Sequence, residues 1–174
     1  YVYCTDLAAE RLADLRAHLG RWFAISFAVK SNPNPALLDW MRDRLDFLDI
    51  ITDVNTHAPL VRLAAAHRLP VICQKPMAAT LAEAAEMVRV CRESNTPFYV
   101  HENWRWQTPL RQLKDDLTRG VIGQPFRARI HFCSSFPVFD NQPFLKELEQ
   151  FILTDIGSHI LDVARFLFGE ARTL

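Results

Sequence analysis

Lys75 stands in Gln74-Lys75-Pro76 at the end of the short apolar run Val71-Ile72-Cys73, and Asp155-x-Gly157-x-His159-x-x-Asp162 follows much later in the chain. A lysine at a strand end can donate a hydrogen bond to a substrate oxygen or lower that oxygen's pKa. Pro76 disfavours helical backbone at the residue before it, so Lys75 is held extended. Asp155, His159 and Asp162 are spaced i, i+4, i+7, which places them on one face of a helix. Imidazole is the natural proton shuttle near neutral pH, and a carboxylate beside it would hold its tautomer. Lys75, Asp155 and His159 are therefore the candidate catalytic residues, expected to converge on one pocket and to move a proton to or from a hydroxyl oxygen. The bland alternatives are a solvated lysine, an Asp155 that caps a helix N-terminus and a surface-paired His159. Asp155 and His159 lack a third ligand at metal-site spacing, so no metal centre is expected. A second lysine, Lys30, closes the apolar run Phe23–Val29 ahead of Ser31-Asn32-Pro33. Strand-end lysines can form Schiff bases with carbonyl compounds.

The elements that must position these groups alternate along the chain. Tyr1–Cys4 reads as a strand, and Leu7, Leu12, Leu15 and Leu19 mark a helix opened at Thr5 or Asp6 and closed by Gly20. Phe23–Val29 reads as a buried strand. Asn34 caps a helix with Pro35 at its first position, and Phe47–Ile51 is the next strand. Residues 59–67 read as helix, 71–73 as strand, and Thr80-Leu81-Ala82-Glu83 as a capping box opening a further helix. Phe98–Val100 is a strand, and Leu110, Leu113 and Leu117 mark a helix stopped by Gly120. Phe126, Ala128, Ile130 and Phe132 alternate with Arg127, Arg129 and His131, the pattern of a half-exposed antiparallel strand. Ile156, Ile160, Val163 and Leu167 give the last helix, ending at Gly169. Strand and helix in alternation predict an α/β fold with a mainly parallel, Rossmann-like sheet flanked by helices, followed by the beginning of an α+β second domain. Residues 136–144 are the longest irregular stretch, and exposed Phe136, Phe139 and Phe144 there would suit an interaction surface.

Composition narrows the classes. Of 174 residues, 49% are hydrophobic, and 20 basic residues balance 20 acidic ones. A core is affordable, no run of like charge points to nucleic acid, and the apolar run Trp22–Val29 is too short to cross a bilayer. Cys4, Cys73, Cys91 and Cys133 lack CxxC spacing, so buried thiols in a reducing cytoplasm are expected rather than bridges. The first residue is Tyr1 rather than Met, and an upstream segment is expected.

From about residue 48 onward the chain resembles the glucose-fructose oxidoreductase/inositol dehydrogenase/rhizopine-catabolism (Gfo/Idh/MocA) family. The resemblance rests on Ile51-Thr52-Asp53-Val54-Asn55-Thr56-His57-Ala58-Pro59, Cys73-Gln74-Lys75-Pro76-Met77-Ala78, Glu102-Asn103-Trp104-Arg105, Gly120-Val121-Ile122-Gly123 and the helix from Asp155 to Asp162. It implies NAD- or NADP-dependent hydride transfer at a carbon of a sugar, polyol or related small molecule; the sequence leaves the oligomeric state open, a homo-oligomer among the alternatives. It implies that His159 takes the hydroxyl proton while Lys75 and Asp155 position and polarise the substrate. Thr52, Asn55, His57, Gln74 and Lys75 would line the cofactor's ribose and nicotinamide, and Asn103 and Arg105 would face cofactor or substrate. Gln74 replaces the family's usual glutamate, and Asp53-Val54 replaces its common Pro-Asn. No G-x-G-x-x-G occurs, the glycines being Gly20, Gly120, Gly123, Gly157 and Gly169. That turn brings backbone N–H groups to a pyrophosphate, so weak nicotinamide-cofactor binding is expected of this chain.

Residues 1–49 resemble instead the start of a pyridoxal-phosphate (PLP) diaminopimelate/ornithine decarboxylase-type barrel, with Lys30 in the place of the aldimine lysine. The chain therefore reads as a fusion of a decarboxylase-like segment (1–49), a Rossmann-like part (50–124) and the start of a substrate domain (125–174). The alternatives to an oxidoreductase are a PLP decarboxylase-like fragment, in which Lys30 forms no productive aldimine without the rest of its barrel, and a non-catalytic α/β module.

Overall fold

The computed structural model describes residues 4–32, 34–147 and 149–173, which fall into two compact units, one ending at His101 and the other beginning at Glu102. The first unit runs α1 (Thr5–Leu19), β1 (Ser26–Ala28), α2 (Pro35–Met41), β2 (Phe47–Ile50), α3 (His57–Ala66), β3 (Val71–Cys73), α4 (Leu81–Glu93) and β4 (Phe98–Val100). Its four strands form one sheet in the order β1-β2-β3-β4, every pair parallel. Parallel neighbours need a crossover between them, and α2, α3 and α4 supply one each. Each strand is added on the same side, so the Rossmann-like sheet grows in one direction without reversal.

Local signals place these elements. The Asn34 side chain accepts a hydrogen bond from Ala36 N at 3.0 Å, with Pro35 opening α2. Thr80 Oγ accepts from Glu83 N at 3.2 Å and donates to the Glu83 carboxylate at 3.3 Å, which starts α4 where the capping box predicted. Asp46 binds the head of the sheet: its carboxylate accepts from Ile25 N at 2.6 Å and from the Arg16 guanidinium of α1. The Ile25 amide, then Arg16, hold the Asp46 carboxyl below the usual carboxylate range. One face of the sheet is sealed by helix. Leu48, Ile50, Val71 and Cys73 pack with Val61, Ala64 and Ala65 of α3 and Met87 and Cys91 of α4. Full burial of a side chain such as Ile50 contributes about 1.5–3 kcal/mol. Along the strands burial alternates, and Tyr99 of β4 is 60% exposed, so the opposite face is only partly covered.

The second unit holds α5 (Thr108–Arg119), the short α6 (Val138–Asn141) and α7 (Ser158–Phe168), with a π-helical turn at Leu153–Gly157 leading into α7. Gly120 ends α5 in the left-handed conformation at φ 72°, a backbone state that suits glycine. Lys114 of α5 donates to the Leu167 carbonyl at 3.2 Å, placing a cation at the negative end of α7.

Several expectations are corrected. Residues 126–132 form no strand, and Phe126 is 98% exposed. Alternation suits a pleat, but a strand exists only through its ladder, and no described segment pairs with this one. The leucine stripe of α1 predicts a core face, yet none of its residues is buried and only Leu12 reaches the core's edge. One leucine per turn is too narrow a stripe to seat a helix fully. The first core strand is shorter than 23–29, and the strand read at 1–4 lies outside the described residues apart from Cys4, which is not in one. Of the four cysteines, all free, Cys73 and Cys91 are buried while Cys4 and Cys133 are exposed. Phe136 and Phe139 are exposed as expected, and the Phe144 side chain lies outside the described residues.

Candidate active site

The strand ends carry the first group of candidate residues. Beyond β1 and β2 lies a cleft of about 420 Å³ lined by Val29, Lys30, Ile51, Thr52 and Asp53. Open α/β sheets bind ligands at these carboxyl ends. Lys30 is exposed there, in a 3₁₀ turn directly after β1. Asp53 caps the turn Val54–Thr56, accepting from the Asn55 backbone at 3.0 Å and from the Asn55 amide at 2.8 Å. Thr56 Oγ donates to Thr52 Oγ at 2.7 Å. Lys75 follows β3 and is half-buried, and the Lys75–Pro76 peptide is cis. The Gln74 amide donates to His101 Nδ1 at 2.6 Å, tying the end of β3 to the end of β4.

His57 is only 1% exposed. Its Nδ1 faces the carbonyls of Pro76 at 3.1 Å and Met77 at 3.2 Å, and its Nε2 faces that of Thr52 at 3.2 Å. The ring is a buried staple between the loop after β2 and the loop that carries Lys75. Beneath these loops, burial pushes the Cys73 thiol up to about 12, which makes it an inert core thiol. Burial also raises the Asp49 carboxyl, with the nearby His101 imidazole pulling the other way, and Asp49 Oδ1 is buried without a hydrogen-bond partner.

The second unit carries Asp155, His159, Asn103 and Arg105. Asp155 lies in the π-helical turn, half-buried, so the regular α-helical spacing assumed for Asp155 and His159 does not apply. Such turns widen the helix by one residue and are frequent at functional sites. His159 is 6% exposed on the first turn of α7, and its ring lies flat on Trp104, centroids 4.5 Å apart and planes 2° from parallel. His159 Nδ1 meets Glu102 Oε1 at 2.5 Å. Sequence spacing offered Asp155 and Asp162 as neighbouring carboxylates. Asp162 instead forms a two-pronged pair with Arg105, Nε to Oδ2 at 2.7 Å and Nη2 to Oδ1. That pair raises the Arg105 pKa further. Asn103 is exposed, at the start of the turn Trp104–Trp106. Glu102 was the residue sequence reasoning passed over. The pointer was its place two residues past β4, in the stretch that carried the family resemblance.

A parallel sheet with helical crossovers, a ligand cleft at its strand ends and a buried imidazole on a helix define a Rossmann-type α/β protein. A family model described as an oxidoreductase family with an NAD-binding Rossmann fold matches residues 6–102, and the family's C-terminal domain matches residues 110–174. The chain belongs to the Gfo/Idh/MocA oxidoreductase family. It is 52% identical over 129 residues to D-apiose dehydrogenase of Rhizobium rhizogenes, covering 74% of this chain and 37% of that protein. It is 48% identical to D-apiose dehydrogenase of Paraburkholderia graminis, covering 76% of this chain and 35% of the relative. An oxidoreductase from Agrobacterium radiobacter, solved in complex with NAD+, L-tartaric acid and magnesium, superposes with a TM-score of 0.72 at 41% identity, covering 84% of this chain and 47% of that one. The chain thus spans little more than a third of the curated relatives' length. The decarboxylase resemblance of residues 1–49 finds no support. The family match runs through that stretch from residue 6, and β1 pairs in register with β2.

The cofactor named for this family can be tested against the residues present. Thr52, Asn55 and Gln74 give the strand ends neutral donors and acceptors, which suit a ribose and a carboxamide. No glycine stands at the end of β1, where a pyrophosphate would need close backbone approach. The fit is to the nicotinamide side of the cofactor.

Proposed function

We propose that this chain carries the nicotinamide-facing and proton-handling residues of an NAD(P)-dependent dehydrogenase acting on a hydroxyl carbon of an aldose or polyol, with D-apiose first among candidate substrates. The observation that carries the reading is the buried imidazole of His159, engaged through Nδ1 and stacked on Trp104. Such a ring has one nitrogen left for a substrate proton. His159 accepts the hydroxyl proton and Asp155 orients the oxygen; in the first unit, Lys75 is the hydrogen-bond donor of the β3 strand end. Thr52, Asn55 and Gln74 hold the nicotinamide and its ribose. When bound, the nicotinamide supplies the two-electron acceptor. Two relatives near half identity carry the name D-apiose dehydrogenase, which supports an aldose substrate. The neighbour solved with NAD+ supports NAD before NADP.

The test is reduced-cofactor formation, followed by absorbance at several millimolar NAD+ or NADP+ with D-apiose, D-xylose and myo-inositol in parallel. Turnover of an aldose that disappears in His159→Asn is the expected result. No turnover with any sugar or polyol, or an active His159→Asn, overturns the reading.

A further inference from the structure

We propose that Glu102 is the positioning residue that presents His159 to its substrate in one tautomer, with the hydrogen on Nδ1 and the lone pair on Nε2. The inference rests on the oxidoreductase reading for its catalytic consequence, but its structural content stands alone. A carboxylate accepts hydrogen bonds and donates none when ionised, so at 2.5 Å from Glu102 Oε1 the His159 Nδ1 must carry the hydrogen. In a neutral ring that leaves Nε2 as the acceptor.

Three further features make this an arrangement rather than a chance contact. Both side chains are withdrawn from water, 8% exposed for His159 and 14% for Glu102. A charge-assisted hydrogen bond shielded from solvent is stronger than its exposed counterpart. The indole of Trp104 lies flat on the imidazole, so a ring flip that exchanged Nδ1 for carbon would break the bond to Glu102 inside a filled stack. The same Glu102 oxygen accepts from Trp104 N at 3.2 Å, so one carboxylate fixes the imidazole and the start of the turn that carries the stacked indole. The Asp162 carboxylate is committed elsewhere. Asp162, three residues along α7, is paired with Arg105, whose guanidinium also lies 5.5 Å from the Phe166 ring. Glu102 thus approaches from outside the helix, 57 residues from His159 in sequence, and does for the ring what a carboxylate on the helix was expected to do.

The experiment reads tautomer and turnover separately. Two-dimensional ¹H–¹⁵N spectra of the imidazole nitrogens in the wild-type chain report which nitrogen of His159 is protonated. Nδ1–H with an unprotonated Nε2 is expected, and Nε2–H in the wild type overturns the proposal. Glu102→Gln keeps the shape but offers an amide that can donate to Nδ1, so a mixture of tautomers or a switch to Nε2–H is expected. Its kcat should fall by about 10²-fold or more with the sugar KM changed less than about threefold, as for loss of a transition-state interaction. Glu102→Asp should restore part of kcat and the wild-type nitrogen pattern. A Glu102→Gln variant with wild-type tautomer and wild-type kcat refutes the positioning role while leaving the oxidoreductase reading intact. A wild type inactive on every sugar, but with the tautomer present and lost in Glu102→Gln, refutes the oxidoreductase reading and leaves the positioning of the ring established. Should Glu102→Gln fail to fold, the wild-type spectrum and Glu102→Asp decide the matter.

Discussion

Replacing His57 by alanine should destabilise the first unit by about 3–5 kcal/mol. The ring is 1% exposed and faces three carbonyls, those of Thr52, Pro76 and Met77, at 3.1–3.2 Å. A net hydrogen bond contributes about 0.5–1.5 kcal/mol, and a buried carbonyl stranded without a donor costs about 1–3 kcal/mol. Removing a buried ring also leaves a cavity, and aromatic-to-alanine changes in cores cost about 3–5 kcal/mol. These contributions overlap, since the loops can close partly over the space or admit water, which sets the total in that range. At about 2–4 °C per kcal/mol for a chain of this size, the midpoint should fall by roughly 10 °C. Urea titrations followed by circular dichroism, alongside thermal melts, measure the loss. His57→Asn is the informative companion, because its amide can still donate to one carbonyl and should recover a measurable part. A loss below about 1 kcal/mol in His57→Ala, or an asparagine variant no better than alanine, would refute the staple.

Asp49→Val should raise the melting midpoint at pH 7 by about 3–6 °C, since Oδ1 is buried without a partner and such an atom costs about 1–2 kcal/mol. Burial raises the Asp49 pKa, so the native state favours the protonated acid. The wild type should therefore lose relative stability as pH rises from about 4 through the raised pKa, and the gap to Asp49→Val should widen over that window; a pH-independent gap would contradict this. Asp162→Ala should cost about 2 kcal/mol by stranding the half-buried Arg105, whereas the double change Arg105→Met/Asp162→Leu should cost distinctly less; denaturant titrations of all the variants show whether the double is as damaging as the single. Iodoacetamide should modify Cys4 and Cys133 at least tenfold faster than Cys73 and Cys91, as read by mass spectrometry over time, and equal rates would deny the burial of the latter pair.

The parts of the fold that local chemistry decides were legible in the chain. Asn34-Pro35, Thr80 with Glu83, and Gly120 are punctuation that works through neighbouring backbone, and each marks a helix end in the structure. The short apolar runs at 47–51, 71–73 and 98–100 read as strands because helical patterns separate them, and each holds a strand, the last of them largely exposed. What the sequence hid depends on partners far along the chain. The alternation at 126–132 describes a surface that suits pairing without saying whether anything pairs with it. The cofactor-facing reading of His57 came from the family resemblance, and nothing in its own stretch announced that two of the carbonyls facing its ring lie 19 and 20 residues away. The carboxylate at His159 was sought on its own helix, where spacing is easy to read, and Glu102, two residues past β4, supplies one. The decarboxylase-like reading of residues 1–49 shows the same weakness. A lysine after an apolar strand is common to many parallel α/β sheets, and only the family match and the β1–β2 register assigned the segment to this one.

The most direct test of the proposed function follows the hydride itself. D-Apiose carrying deuterium on its carbon skeleton, incubated with the protein and millimolar NAD+, should yield reduced cofactor with one deuterium on the nicotinamide ring, and none should form with His159→Asn. Reduced cofactor without deuterium, labelled cofactor undiminished in the His159→Asn variant, or no reduction with any deuterated aldose or polyol, would contradict the account.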